Sequence, residues 1–178
     1  MIKGFKSIEK CELELTALNV FIGCNGAGKS NFINFFQMVR QMLAENFQSY
    51  VSKQGGPDEL LYFGRKKTRQ LQARISFNKS GYWFALEPTH DNRMMFTDES
   101  FCNDLDSHCI AKGHFESQVV TGIKTSIDPL IVSEIKKWCA YHFHDTSDTS
   151  LIKQLHGIND NNIFETGCKQ SCCISLSA

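Results

Sequence analysis

Eight residues constrain this chain more than any others: Gly23-Cys24-Asn25-Gly26-Ala27-Gly28-Lys29-Ser30 satisfies the spacing G-x-x-x-x-G-K-S/T. The apolar run Ala17–Ile22 precedes it, and a segment with apolar residues at helical spacing follows. Strand, tight loop and helix are therefore predicted in immediate succession. Glycines permit positive φ and leave room beside the backbone, so successive N–H groups can converge on an anion. The helix N-terminus adds partial positive charge at the same point. Gly23, Asn25, Gly26, Ala27, Gly28, Lys29, Ser30 and Asn31 are thus the candidate nucleotide-binding residues. In such a loop Lys29 reaches the β- and γ-phosphates and the Ser30 hydroxyl ligates the metal, so ATP and Mg²⁺ are the expected ligands. A glycine-rich turn whose lysine meets no ligand is the plain alternative, and the order of elements around the loop argues against it.

The rest of the chain is read by period. Ile2–Phe5 is a short strand and Cys11–Leu15 alternates as a half-buried strand does, both at one sheet edge. Ala17–Ile22 has the unbroken apolar character of a strand buried on both faces. Phe32, Ile33, Phe35, Phe36, Val39, Met42 and Leu43 predict a helix from about Lys29 to Gln48, which Gly55-Gly56-Pro57 follows as a break. Leu71–Phe77, Tyr82–Leu86 and Arg93–Phe96, separated by turn residues, read as an antiparallel meander. Asp128-Pro129 starts a further helix through Trp138, and Tyr141–His144 reads as a strand after it. Asn103–Ser126 shows no clear period.

Composition narrows the class without naming a partner. At 178 residues and 42% hydrophobic, the chain can bury one sizeable core, a single domain or part of one. Lys plus Arg and Asp plus Glu each total 19, so global charge points neither to nucleic acid nor to an acidic tail. No apolar run approaches a membrane span and no signal segment opens the chain, so a cytoplasmic protein without a membrane partner is expected. The eight cysteines are scattered without a CxxC pair and are read as reduced thiols. Cys102, His108, Cys109 and His114 fit no zinc spacing.

The inner letters of the loop, Asn25-Gly26-Ala27-Gly28-Lys29-Ser30-Asn31, resemble those of ABC-type ATPases, in particular the RecF and SMC-like branch. Ile2-Lys3-Gly4-Phe5-Lys6-Ser7 resembles the first strand of SMC-type heads, which implies that Lys6 and Ser7 lie near the nucleotide. A nearer resemblance, to a bacterial group of RecF-like ATPases, runs through Leu60–Thr68, Gly113–Ser117 and Tyr141–Ser147 and spans most of residues 1–160. It implies an α/β fold of the P-loop NTPase class, lobe I of an ABC-ATPase head with a mixed sheet and an antiparallel meander, here incomplete. It further implies ATP hydrolysis coupled to head-to-head homodimerisation, with DNA as a partner by family alone. DNA repair, chromosome maintenance and phage defence are the corresponding settings. His142, His144 and Asp145 share a strand face as metal ligands would, but a structural or lobe-packing role is preferred because the resemblance attaches no metal to them. Arg65 is a candidate for nucleotide or partner-head contact, or an ordinary loop charge.

The same resemblance exposes what is missing. Such ATPases carry an LSDG-like signature, a Walker B strand ending in Asp-Glu, and a later switch histidine, and none is recognised here. Asp104, Asp106 and Asp145 follow no apolar strand of that kind. Beyond about Asn161 the resemblance stops and the composition changes; with suitable synonymous codons, a one-nucleotide shift of frame turns the tail into DANNLAAFLY, a family-like word. Residues 1–160 are accordingly read as the lobe, and 161–178 as an aberrant, disordered tail left by a frameshift. ATP binding by a lobe whose full-length form would hydrolyse ATP is the expected function. The alternatives are an inactive, non-catalytic fragment, and another P-loop enzyme such as a small kinase, although no distinct substrate lid is seen.

Overall fold

A computed structural model describes residues 1–16, 18–77, 80–103, 107–119, 132, 135 and 138. Strands β1 (Ile2–Phe5) and β2 (Ile8–Cys11) form a hairpin whose turn, Lys6-Ser7, is made possible by a left-handed Lys6 at φ 48°. Three helices follow, α1 (Lys29–Leu43), α2 (Phe47–Lys53) and α3 (Pro57–Leu60). Then come β3 (Leu71–Phe77), β4 (Ser80–Pro88), β5 (Met94–Asn103) and β6 (Ser107–Ala111). The six strands make one sheet in the order β2-β1-β3-β4-β5-β6, and every pairing in it is antiparallel. The architecture is α/β, as expected, but the mixed sheet is not found among the described residues. The meander is, with β3 starting and ending where its alternation does. It also extends further than expected, since β6 lies in the stretch that shows no period in sequence.

Helix α1 packs its aromatic stripe on one face of this sheet. Phe32, Phe35, Phe36, Val39, Met42 and Leu43 are all buried, whereas Ile33 is half-buried. Phe35 meets Phe5 of β1 edge-on at 5.8 Å between ring centroids and stacks over Phe84 of β4 at 6.4 Å. Tyr82, Phe84 and Leu86, alternate residues of β4, are all buried, as period two requires of a strand covered on that face. Ile135 and Trp138 complete the cover, the indole meeting Phe36 at 4.9 Å.

The single helix expected from Lys29 to Gln48 is two helices. Glu45 takes a left-handed φ of 55°, and α2 restarts at Phe47. Its first two amides are held from far along the chain: the Glu116 carboxylate accepts from Phe47 N at 2.8 Å and from Gln48 N at 2.9 Å. The Gln48 amide then donates to the carbonyls of Met94 and Phe115. A carboxylate at a helix N-terminus satisfies otherwise orphaned donors and favours the dipole. Glu116→Ala is expected to lower stability by about 1 to 2 kcal/mol, the usual worth of a lost N-terminal cap. Thermal melts followed by circular dichroism would show it, and an unchanged midpoint would mean that the carboxylate holds nothing.

Two strand expectations are overturned. β2 ends at Cys11, so Glu12–Leu15 is not strand. Leu18–Ile22 is also not strand, and Leu18, Val20 and Ile22 are 81, 74 and 92% exposed. A doubly buried strand needs partners on both edges and cover on both faces, and no described strand pairs with this segment. Among the described residues its ring contact is Phe21 against Phe32, at 4.9 Å. Of the helix expected over Asp128–Trp138, Val132 and Ile135 are helical, Trp138 is not, its N–H donating to Ile135 O at 3.1 Å, and the remainder lies outside the described residues, as do Tyr141–Ser147 and the tail 161–178. Among the described residues, no helix is long and apolar enough to cross a membrane.

Candidate nucleotide-binding site

The glycine-rich loop runs into α1 with the backbone its sequence requires. Gly26 and Gly28 sit at φ 85° and 90°, in the left-handed region, and Gly28 is the residue that caps the helix. A Cβ at Gly26 would meet nothing within 4 Å, so the loop is open on that side. A Cβ at Gly28 would come within 3.1 Å of the Ser7 hydroxyl. One turn closes within the loop, Ala27 N–H to Cys24 O at 3.2 Å. The N–H groups of Gly26, Gly28, Lys29, Ser30 and Asn31 donate to no described acceptor. Helical geometry leaves the first amides without intrahelical partners, and α1 has no acidic residue in its first turn to compete with an incoming anion.

Lys29 folds back over this mouth. Its Nζ donates to Gly23 O at 2.6 Å and to Cys24 O at 2.8 Å. Two backbone carbonyls hold the ammonium beside the open amides, where it can exchange neutral acceptors for phosphate oxygens, the stronger charge-assisted kind. Ser30 is exposed on the first turn of α1, and its hydroxyl bonds to no described group. Asn25 is likewise exposed.

The β1–β2 turn is the second wall. Ser7 Oγ accepts from Asn31 Nδ2 at 2.8 Å and faces Gly28, so this residue is brought to the loop. Lys6 is not. Its Nζ donates to Gln54 Oε1 at 2.8 Å, beside the end of α2, and burial lowers its pKa from the ordinary lysine value against the opposing pull of Glu59. Neighbours in sequence at a tight turn point different ways, which explains why the two part company.

Arg65 is a clasp. It binds the Asp58 carboxylate through Nε at 3.0 Å, the Thr89 carbonyl and the Asn92 side chain, tying α3 to the β4–β5 turn. A feature missed by motif reading is Asp98-Glu99, which ends the stretch Met94–Thr97 in the order of a water-activating pair. The structure employs both otherwise. Asp98 pairs with Lys112 at 2.9 Å. Glu99 is fully buried, accepting from Tyr82 Oη and Ser117 Oγ at 2.6 Å each and from Gln118 N at 2.9 Å, with His114 Nε2 also at 2.9 Å. Burial and the Glu99 charge push the Tyr82 phenol well above its ordinary pKa, so it remains a donor. Strand β5 also stands three places from β1 in the sheet, about 14 Å at ordinary strand spacing. No family model, curated protein or solved structure matches the chain. The reading of the site therefore rests on its own geometry.

Proposed function

We propose that this chain binds ATP with Mg²⁺ through Gly23–Ser30 as a cytoplasmic lobe of a P-loop NTPase, residues 1–160 corresponding to the first lobe of a RecF/SMC-like ABC-ATPase head. One observation carries the proposal: the loop and the first turn of α1 carry amides without described acceptors, and the Lys29 ammonium is folded back onto the loop's Gly23 and Cys24 carbonyls. Gly26, Gly28, Lys29, Ser30 and Asn31 would supply N–H donors to phosphate oxygens, Ala27 would hold the turn through its bond to Cys24 O, and Gly23 would give the carbonyl that steadies Lys29. The exposed hydroxyl of Ser30 suits a hard cation that prefers oxygen ligands. Mg²⁺ bound there would neutralise phosphate charge. Ser7 would position Gly28 and Asn31 rather than touch the ligand. Head-to-head pairing of the full-length form, and DNA as its partner, belong to the same proposal on resemblance alone.

Calorimetric titration with ATP and Mg²⁺ tests it. Lys29→Ala is expected to weaken binding by about 1.5 to 3 kcal/mol, the worth of a charge-assisted contact. Equal affinities of wild type and variant would sink the assignment. Binding without turnover is the specific expectation, because the Asp98-Glu99 pair is committed to Lys112 and to the buried network and, among the described residues, no carboxylate is bonded to the loop or stands in the first turn of α1. Phosphate release near about 1 per second, the low end of ordinary enzymes, that disappears in Lys29→Ala would overturn that expectation.

A further inference from the structure

The turn between α3 and β3 carries cations and an aromatic ring that the fold itself does not use. Within Phe63-Gly64-Arg65-Lys66-Lys67-Thr68-Arg69, four of seven residues are basic in a chain whose charges cancel overall. Arg65 is engaged by Asp58, but Lys66, Lys67 and Arg69 are exposed and form no ion pair among the described residues. Asp58 is bonded to Arg65, Glu87 to Gln70 and Asp91 to Arg93.

Phe63 is the stronger signal. It is 74% exposed, with its edge contact to Tyr62 at 4.6 Å. Its φ is 54°, and it occupies the third position of a turn closed by Gly64 N–H to Leu61 O at 3.0 Å. Glycine or asparagine is the low-cost residue at such a place. An aromatic side chain there carries both a strained backbone and an unburied apolar ring, and strain retained without packing benefit marks function. The turn is also rigid. Thr68 Oγ1 donates to Tyr62 O at 2.6 Å, Lys67 N and Thr68 N donate to Gly64 O, and Arg65 N donates to Asp58. Leu61 bridges to Phe5, and Tyr62 N donates to Gly4 O, so the turn is anchored on β1.

We propose that this turn docks single-stranded nucleic acid, a base stacking on Phe63 while Lys66, Lys67 and Arg69 hold flanking phosphates. A ring with a free face takes any unstacked base, and point charges beside it follow the backbone without reading sequence. Duplex DNA keeps its bases stacked and offers the ring nothing. This surface uses none of the residues of the phosphate loop and does not depend on ATP.

The test is fluorescence anisotropy of the full chain with labelled oligo(dT) of about 16 nucleotides, the upper range for one binding module. A hairpin duplex, inorganic polyphosphate and polyglutamate serve as competitors. Phe63→Ala is expected to weaken oligo(dT) binding roughly 5- to 100-fold, as loss of one stacked base does, and to leave polyphosphate competition unchanged. Lys66→Ala with Lys67→Ala should weaken both and flatten the salt dependence by about 0.7 in logarithmic slope per residue. Because these side chains are exposed, the variants should retain the wild-type circular dichroism spectrum. No binding of oligo(dT), a Phe63→Ala variant of unaltered affinity, equal affinity for the duplex, or competition by polyglutamate as strong as by polyphosphate would each overturn the proposal.

Discussion

Glu99→Leu is expected to destabilise the chain by about 3 to 5 kcal/mol, the cost of removing one partner from a buried charged network. Four groups converge on that carboxylate: the Tyr82 and Ser117 hydroxyls, the Gln118 amide and the His114 ring. Leucine matches its bulk but accepts nothing, and Tyr82 is buried too deeply for water to substitute. The His114 ring is stacked on Phe96 at 4.8 Å, with Nδ1 buried and without a described partner. Glu99→Gln keeps an acceptor oxygen and should lose less than Glu99→Leu. Urea unfolding would measure both. A loss below about 1 kcal/mol for Glu99→Leu, the worth of one ordinary net hydrogen bond, would show that the residues 113–119 are not fastened to β5 in this way. If Glu99 instead served hydrolysis, Glu99→Gln would abolish phosphate release while leaving stability untouched.

The second large effect is at Phe35. Its ring joins three elements, touching Phe5 of β1, Phe84 of β4 and, at 5.5 Å, Phe36 on its own helix. Truncation to alanine removes the ring's burial and leaves a cavity that a helix docked on a sheet can only partly close, so about 3 to 5 kcal/mol should be lost. That is a large share of the 5 to 15 kcal/mol that holds a typical domain together, roughly stated. Phe21→Ala is the control. Phe21 is 40% exposed on the unpaired segment before the loop, and its loss should stay near 1 kcal/mol or below. Equal losses at the two positions would mean that α1 is not seated on the sheet through Phe35. Because α1 carries Lys29 and Ser30 on its first turn, loosening it should weaken ATP binding as well.

What could be read from the sequence alone was what short-range chemistry dictates. Gly26 and Gly28 announce positive φ because only glycine tolerates it cheaply, and both adopt it. The spacing of Phe32, Phe35, Phe36, Val39 and Met42 defines one buried helix face by geometry alone, and the structure buries each of them. Leu71–Phe77 alternates between turn residues and emerges as β3 with those bounds. Tertiary structure decided the remainder, because the deciding partner is remote in sequence. α1 and α2 are separate helices with Glu116 capping the second from a strand-side loop, a contact no local period encodes. Apolar character at Leu18–Ile22 states only that burial would be favourable; with no described strand on its edges the segment is exposed. Asp98 and Glu99 look alike in sequence, and alternation across the strand sends one to an exposed lysine and the other into a buried network. Ser7 reaches the phosphate loop and Lys6 does not, since one left-handed residue at the hairpin turn points the two side chains to different neighbours.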